Sequence, residues 1–257
     1  MKMSLKNGPE VSIIICAHNE EEYVGKCLSS VLNTVRNVES EIVFVADRCT
    51  DKTAEIAEKL GVTSIIEKKW KKWKNSYAEA LQAGYLKATG KYVAIIDADI
   101  VVPADFFGKL IPIVNNRVAS VSAQVVTCPQ NFLNRLIYAW EQTYELAPLG
   151  RKPRGAARVI LKRALDEVGG FNDALAPDTD LDIRLAKKGY KSVYCRAVKV
   201  WHIRNLTLDK IIKGQITAGR ARYALGVGII RTMGHATFRV RPFIIVGWLL
   251  EWLNRST

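Results

Sequence analysis

The strongest constraint on the fold is an alternation of short apolar runs with stretches of helical periodicity across the first 127 residues. "VSIIICA" (Val11–Ala17) has the length and composition of a buried strand. "EEEYVGKCLSSVLN" then places Val24, Leu28, Val31 and Leu32 at helical spacing. "EIVFVA" (41–46) predicts a second strand, "TSIIE" (63–67) a third, "KYVAIID" (91–97) a fourth and "VASVSAQVV" (118–126) a fifth. Helical segments lie between them: "TDKTAEIAEKLG", "SYAEALQAGYLKATG" and "PADFFGKLIPIVNN". Repeated β-α-β units of this kind predict an α/β fold: a Rossmann-like, mostly parallel sheet with helices on both faces. In such a sheet the ligand lies beyond the carboxyl ends of the strands, so the polar residues there are the ones that bear on function.

Composition narrows the class. At 257 residues and 49% hydrophobic, the chain can bury a sizeable core. Its five cysteines (Cys16, Cys27, Cys49, Cys128, Cys195) are widely spaced and include no C-x-x-C. Neither a disulfide framework nor a zinc cluster is indicated. "MKMSLKNGPE" lacks the apolar segment of a secretory leader, and a reducing, cytoplasmic setting is expected. The net charge of +13 is unevenly placed: residues 1–150 balance, and residues 184–257 carry 15 basic against 2 acidic residues. An anionic surface or substrate is the expected partner of that tail.

Three predicted strands end in carboxylates: "AHNEE" (17–21), "ADRCTD" (46–51) and "DADI" (97–100). One aspartate at a strand end is ordinarily a helix cap or turn former, and Asp51 fits that role. Carboxylates at three strand ends around one crevice call for more. In "IIDAD" two aspartates one residue apart close a buried strand, where their repulsion costs free energy unless a cation stands between them. Mg²⁺ commonly shares such a site with substrate phosphates. Further on, "GGFNDALAPDTDLDIRLAKKG" (169–189) sets Asp178, Asp180 and Asp182 at a helix start. Capping and the helix dipole account for at least one of them; another is a candidate general base.

Together, "VSIIICAHNEE", "EIVFVADRCTDKTAEIA", "AEALQAGYLKATGKYVAIIDAD", "VILKRALDEVGGFND" and "PDTDLDIRLAKKGYK" resemble the family-2 inverting glycosyltransferases of the A-type fold, over roughly residues 10–225. The resemblance implies a nucleotide-sugar donor. Glu20 and Asp47 would lie in the nucleotide pocket with Ala17 and Ala98 at its edge, Asp47 accepting a hydrogen bond from the base. Asp97 would reach the ribose or the metal, and Asp99 would ligate Mg²⁺ or Mn²⁺ on the diphosphate. Asp178 would be the base that deprotonates the acceptor, with Asp180 in reserve. His202, in "VKVWHIR" after a strand over 192–201, matches a metal or phosphate contact of some relatives. Arg220 and Arg222 fall on a helix that relatives use to cover substrate, although a solvated basic face accounts for them equally well. The chain departs from the family at Cys16 and His18 (Pro and Tyr), at Ser76-Tyr77 (Gly-Lys) and at Pro177 (Glu).

"EKKWKKWKNSY" (67–77) packs five lysines and two tryptophans into residues 68–75. Taken alone it suits a nucleic acid or an acidic membrane; the neutral balance of residues 1–150 argues against nucleic acid. In the expected fold the stretch borders the donor crevice, and Lys74 is the lysine assigned to the diphosphate. "PFIIVGWLLEWLN" (242–254) is too short to span a bilayer. It suits either burial or the plane of a membrane interface. The latter implies a peripheral enzyme at the cytoplasmic face and a lipid-linked acceptor such as a polyprenyl phosphate or glycolipid. The expected organisation is a catalytic domain over 1–225 (nucleotide half 10–127, acceptor and base half 128–205), a mobile basic loop near 148–156, and a basic, apolar helical tail over 226–257. The alternatives are a nucleotidyltransferase, disfavoured by the acidic "CAHNEE" where a Gly-rich phosphate loop belongs, and a non-catalytic membrane- or sugar-binding relative.

Overall fold

The computed structural model describes residues 8–143 and 155–256. The basic stretch near 148–156 lies outside them except for its last two residues. The chain divides into two compact units, Met1–Cys128 with Lys152–Arg204, and Pro129–Arg151 with Asn205–Thr257.

In the first unit eight strands are described: β1 (Val11–Ala17), β2 (Ser40–Asp47), β3 (Ser64–Lys68), β4 (Tyr92–Ile96), β5 (Ile100–Val101), β6 (Val118–Thr127), β7 (Ala157–Leu161) and β8 (Lys191–His202). They form one sheet in the order β3-β2-β1-β4-β7-β6-β8-β5. Seven helices are α1 (Val24–Thr34), α2 (Thr53–Lys59), α3 (Ser76–Lys87), α4 (Phe106–Leu110), α5 (Phe132–Thr143), α6 (Lys162–Glu167) and α7 (Pro177–Lys187); α5 belongs to the second unit and the others to the first. Pairings from β3 through β4 are parallel, as is β6 with β8. The six strands expected from the sequence all run in one direction. The sheet is nevertheless mixed, because β7 enters antiparallel between β4 and β6 and β5 adds a two-residue antiparallel edge on β8.

Successive residues of β1 and β2 are buried on both sides of the strand, as expected where helices cover both faces of a parallel sheet. The core is made of these strands with Val24, Leu28 and Val31 of α1 and Phe106 and Phe107 of α4. Helix α3 lies close to the sheet because it carries Gly84 there: a Cβ at that position would stand 2.5 Å from Ile14 Cγ2.

The second unit comprises α5 with α8 (Leu208–Ala224), α9 (Ile229–Phe238) and α10 (Phe243–Ser256). Among the described residues no helix is long and apolar enough to cross a membrane. Helices α8 and α10 meet backbone to backbone. A Cβ on Gly219 would lie 2.1 Å from the Ile244 carbonyl oxygen, and one on Gly247 2.0 Å from that of Ile216. Trp248 Nε1 donates to the Val227 carbonyl at 2.7 Å, and its ring meets Tyr223 edge-on at 5.0 Å. Thr232 and the Arg231 carbonyl accept hydrogen bonds from Arg222. Gly247→Ala is expected to force α10 off α8 and lower stability by about 1–3 kcal/mol, the usual cost of overpacking, measurable by chemical unfolding followed by tryptophan fluorescence.

Candidate active site

The site is built at the carboxyl ends of β1 to β4. The second strand delivers Asp47 as its last residue, buried. The next residue, Arg48, has a φ of 52°, and Asn19 beyond β1 has a φ of 56°. Left-handed backbone is costly for non-glycine residues and collects at functional sites. Here it folds the Arg48 side chain back onto its neighbour. Asp47 Oδ1 accepts from Arg48 Nε (2.9 Å) and Lys68 Nζ (2.8 Å), and Oδ2 accepts from Ser76 Oγ (2.6 Å). Burial opposes the Asp47 charge, but these donors outweigh it and hold the carboxyl at about 2.

Lys68 answers part of the question posed by the Lys/Trp stretch. It is 0% exposed, and its ammonium lies 2.8 Å from Asp47 and 2.9 Å from Glu79 of α3. Lys69, Trp70, Lys71, Lys72 and Lys74 are exposed. The end of the stretch is tethered through its backbone: the amides of Lys74 and Asn75 both donate to Asp173 at 2.8 Å. Asn75 then caps α3 by accepting from the Tyr77 and Ala78 amides.

Asp97 and Asp99 leave β4 through a tight turn closed by Ile100 N donating to the Asp97 carbonyl at 3.0 Å. The short β5 pairs Ile100 with His202 of β8, and this register sets Asp99 beside the histidine. Asp99 Oδ2 lies 2.8 Å from His202 Nε2 and 2.7 Å from Arg204 Nε. Arg204 also reaches Glu20 through Nη2. Burial opposes the Asp99 charge; His202 and then Arg204 outweigh it, and its pKa falls. Burial pulls the His202 pKa down, but Asp99 reverses the direction to a net rise. Glu20 is raised, chiefly by burial. Asp97 is pushed up to about 6 by burial and then by the Asp99 charge, against the effect of the Tyr77 hydroxyl, which donates to it at 2.6 Å.

Helix α7 starts with Pro177 at its first turn, a position where proline loses no hydrogen bond. Two of its three aspartates have ion-pair partners. Asp180 accepts from Arg184 at 2.8 Å and Asp182 from Arg158 at 2.5 Å. Asp178 instead lines a cavity of about 190 Å³ with Tyr77, Asp97, Gly155, Arg158 and Phe171. Gly155 packs closely there: a Cβ on it would stand 3.0 Å from Asp178 Cβ. Arg158 is 0% exposed and also donates to Ser120 Oγ at 2.7 Å.

Asp47, Asp97, Asp99, Glu20 and His202 thus stand at one end of the sheet, with Ala17 and Ala98 buried beside them, and Asp178 shares its cavity with Asp97. The Lys74 side chain is exposed, and the contact in hand is through its backbone. The residues not anticipated as site groups are Arg48, Lys68, Ser76, Tyr77, Arg158 and Arg204. Ser76 and Tyr77 stood out as departures from the family pattern, and each bonds a strand-end aspartate. Arg204 had a signal too, two residues beyond His202 in "HIR".

Sheet order, the inserted β7 and the strand-end carboxylates define an A-type glycosyltransferase fold. The model of glycosyl transferase family 2 matches residues 12–160, and that of glycosyl transferase family group 2 matches residues 92–255. The chain belongs to glycosyl transferase family 2. It is 25% identical over 217 residues to the probable glycosyltransferase YdaM of Bacillus subtilis, covering 77% of this chain and 51% of that one. It is 26% identical over 231 residues to a beta-monoglucosyldiacylglycerol synthase of Nostoc sp., covering 77% and 48%. The chain therefore spans about half the length of these curated relatives. Among solved structures it is similar to a mannosyltransferase from Pyrobaculum calidifontis in complex with GDP-Man and Mn²⁺, with a TM-score of 0.65, 22% identity, and coverage of 95% of this chain and 70% of that one. It is also similar to glucosyl-3-phosphoglycerate synthase from Mycobacterium tuberculosis in complex with Mn²⁺, UDP and glucosyl-3-phosphoglycerate, with a TM-score of 0.58, 18% identity, and coverage of 86% and 80%.

Lys68 is the shared counter-ion of Asp47 and Glu79. Lys68→Met is expected to cost about 3–5 kcal/mol, because it strands two buried carboxylates. Urea unfolding of the two proteins measures it.

Proposed function

We propose that the chain transfers a sugar from a nucleoside-diphosphate sugar to an acceptor hydroxyl or phosphate, with inversion at the anomeric carbon. The donor lies on the 10–127 half, and the base and acceptor lie on the segment that follows. The observation that carries this is the shared cavity of Asp97 and Asp178, beside a second aspartate engaged by a histidine and an arginine. Asp178 is the general base: it takes the acceptor proton as the acceptor oxygen bonds to the anomeric carbon and the bond to the diphosphate breaks. Direct displacement requires no covalent enzyme intermediate. Ion pairing of Asp180 and Asp182 to arginines supports Asp178 over the reserve Asp180. Asp47, saturated by three donors, shapes the base pocket, and Glu20 lies at its edge.

The residues fit a divalent cation of the Mg²⁺ or Mn²⁺ class. Among the described residues no group of three His, Cys, Asp or Glu side chains is disposed to hold one. Asp99 and His202 offer an oxygen and a nitrogen 2.8 Å apart, and the Asp97 pKa is raised by burial and then by the adjacent Asp99 charge. Two protein donors completed by diphosphate oxygens suit Mg²⁺ or Mn²⁺. With such a cation bound, Lewis-acid stabilisation of the departing diphosphate is the chemistry it adds. The Mn²⁺ complexes of the structural neighbours support this assignment.

Asp178→Asn is expected to lower kcat by about 10²–10⁴-fold, the span of general acid–base effects. It should leave intact the thermal stabilisation by the preferred nucleotide diphosphate with Mn²⁺, roughly 5–10 °C at saturating ligand. Screening UDP, GDP and CDP with and without Mn²⁺ identifies that nucleotide. If none of them stabilises the protein, the donor assignment fails.

A lipid-linked acceptor, presented to an enzyme at the membrane surface, is supported by the second unit. Ile230, Met233 and Phe238 of α9 and Val246, Leu249 and Leu250 of α10 are exposed, in a segment, residues 205–257, with 8 basic and 2 acidic residues. An apolar helix face among basic residues suits an anionic lipid interface. The protein is expected to sediment with vesicles containing phosphatidylglycerol at low salt, and Leu249→Glu/Leu250→Glu is expected to stay in the supernatant. Wild-type protein in the supernatant would rule out the membrane assignment.

A further inference from the structure

Arg204 has two carboxylate partners in a place where a metal and a diphosphate are assigned. Its Nε donates to Asp99 Oδ2, the same oxygen that lies 2.8 Å from His202 Nε2, and its Nη2 pairs with Glu20. The residue follows the end of β8, in a segment without helix or strand, and its side chain is 33% exposed. The backbone before it is anchored, with Ile203 N donating to the Asp99 carbonyl at 2.9 Å. The guanidinium is thus set over the strand-end acids by a backbone fixed at its base. A guanidinium and a divalent cation cannot share one carboxylate oxygen without strong like-charge repulsion. A guanidinium also matches phosphate oxygens with two parallel donors.

We propose that Arg204 is a diphosphate-binding residue that occupies the cation's seat on Asp99 until the donor arrives. Resting on the metal assignment above, this makes the two ligands mutually dependent. The diphosphate draws the guanidinium away from Asp99, the freed oxygen becomes available to the cation, and each ligand raises the affinity of the other. Ligand-free protein has its anionic strand ends partly neutralised by an internal cation and binds metal weakly.

The test is Mn²⁺ binding to the full chain, followed by electron paramagnetic resonance of free Mn²⁺, alone and with UDP, GDP or inorganic pyrophosphate. Wild type, Arg204→Gln, Arg204→Lys and Asp99→Asn are compared. In wild type a diphosphate is expected to tighten Mn²⁺ by about tenfold or more, within the usual range of coupling. Arg204→Gln is expected to move two quantities in opposite directions: Mn²⁺ alone binds about tenfold tighter, whereas the diphosphate binds more weakly. A merely structural arginine would weaken both. Arg204→Lys keeps the charge without the two-pronged bridge and is expected to shift both in the same directions by less, which covers the case of a poorly folded glutamine variant. Pyrophosphate acting as well as a nucleotide would place the effect on the diphosphate itself; an effect of nucleotides alone would overturn that part. Equal Mn²⁺ affinity in wild type and Arg204→Gln, with loss in Asp99→Asn, would overturn the proposal and leave the metal site standing. No Mn²⁺ binding by any protein, with or without a diphosphate, would overturn both.

Discussion

Negative charge crowded at one end of a sheet is the constraint around which the first unit is organised. Glu20, Asp47, Glu79, Asp97 and Asp99 lie at or beside neighbouring strand ends, most of them away from water, and carboxylates so placed need positive partners or protons. Each solution is visible. Asp47 and Glu79 share the fully buried Lys68. Asp99 and Glu20 share the partly exposed Arg204. Asp97 has a tyrosine hydroxyl, and its pKa rises. The buried lysine is a permanent counter-ion, locked between two strands and a helix. The partly exposed arginine sits on backbone without helix or strand. The fully buried counter-ion thus serves Asp47 and Glu79, and the partly exposed one serves Asp99 and Glu20.

Much of this was legible in the sequence because two simple signals carry far. Apolar runs of strand length located β1, β2, β3, β4, β6 and β8 to within a residue or two, and the crevice rule then picked out the strand-end acids. The strand β7 was not legible as such: "ARVIL" begins with a residue pair of helical propensity, runs directly into α6, and pairs antiparallel in a sheet whose other long strands share one direction. Ser76 and Tyr77 show the limits of a family pattern. They depart from it, yet each supplies a hydrogen bond to a strand-end aspartate. Burial of one lysine among five depends on tertiary pairing with Asp47 and Glu79, and no local composition reveals it.

The Lys/Trp stretch has two characters. Its first lysine, Lys68, is buried, Lys74 and Asn75 are tied down through their backbone amides, and Lys69 to Lys72 are exposed. A run that reads as a uniform basic patch is therefore a bridge from β3 to α3, with both ends fixed by carboxylates: Asp47 and Glu79 at one end, Asp173 at the other. In the second unit the glycines of α8 and α10 play a comparable fixing part, holding one face of α10 against backbone while other apolar side chains remain exposed.

The antiparallel insertion of β7 has a consequence for how the molecule is made. A strand that hydrogen-bonds to β4 on one side and β6 on the other takes its final place only after both neighbours exist, and the chain must first emerge well past β6. Contacts of that sequence separation form late, since loop-closure entropy is lost before they return any stabilisation. The β7 segment brings Arg158 and follows directly on Gly155 and Ala156 of the cavity wall. During synthesis β1 to β4 can therefore close around their own charges first, and the cavity wall is completed only after β7, once Phe171, Pro177 and Asp178 have followed it.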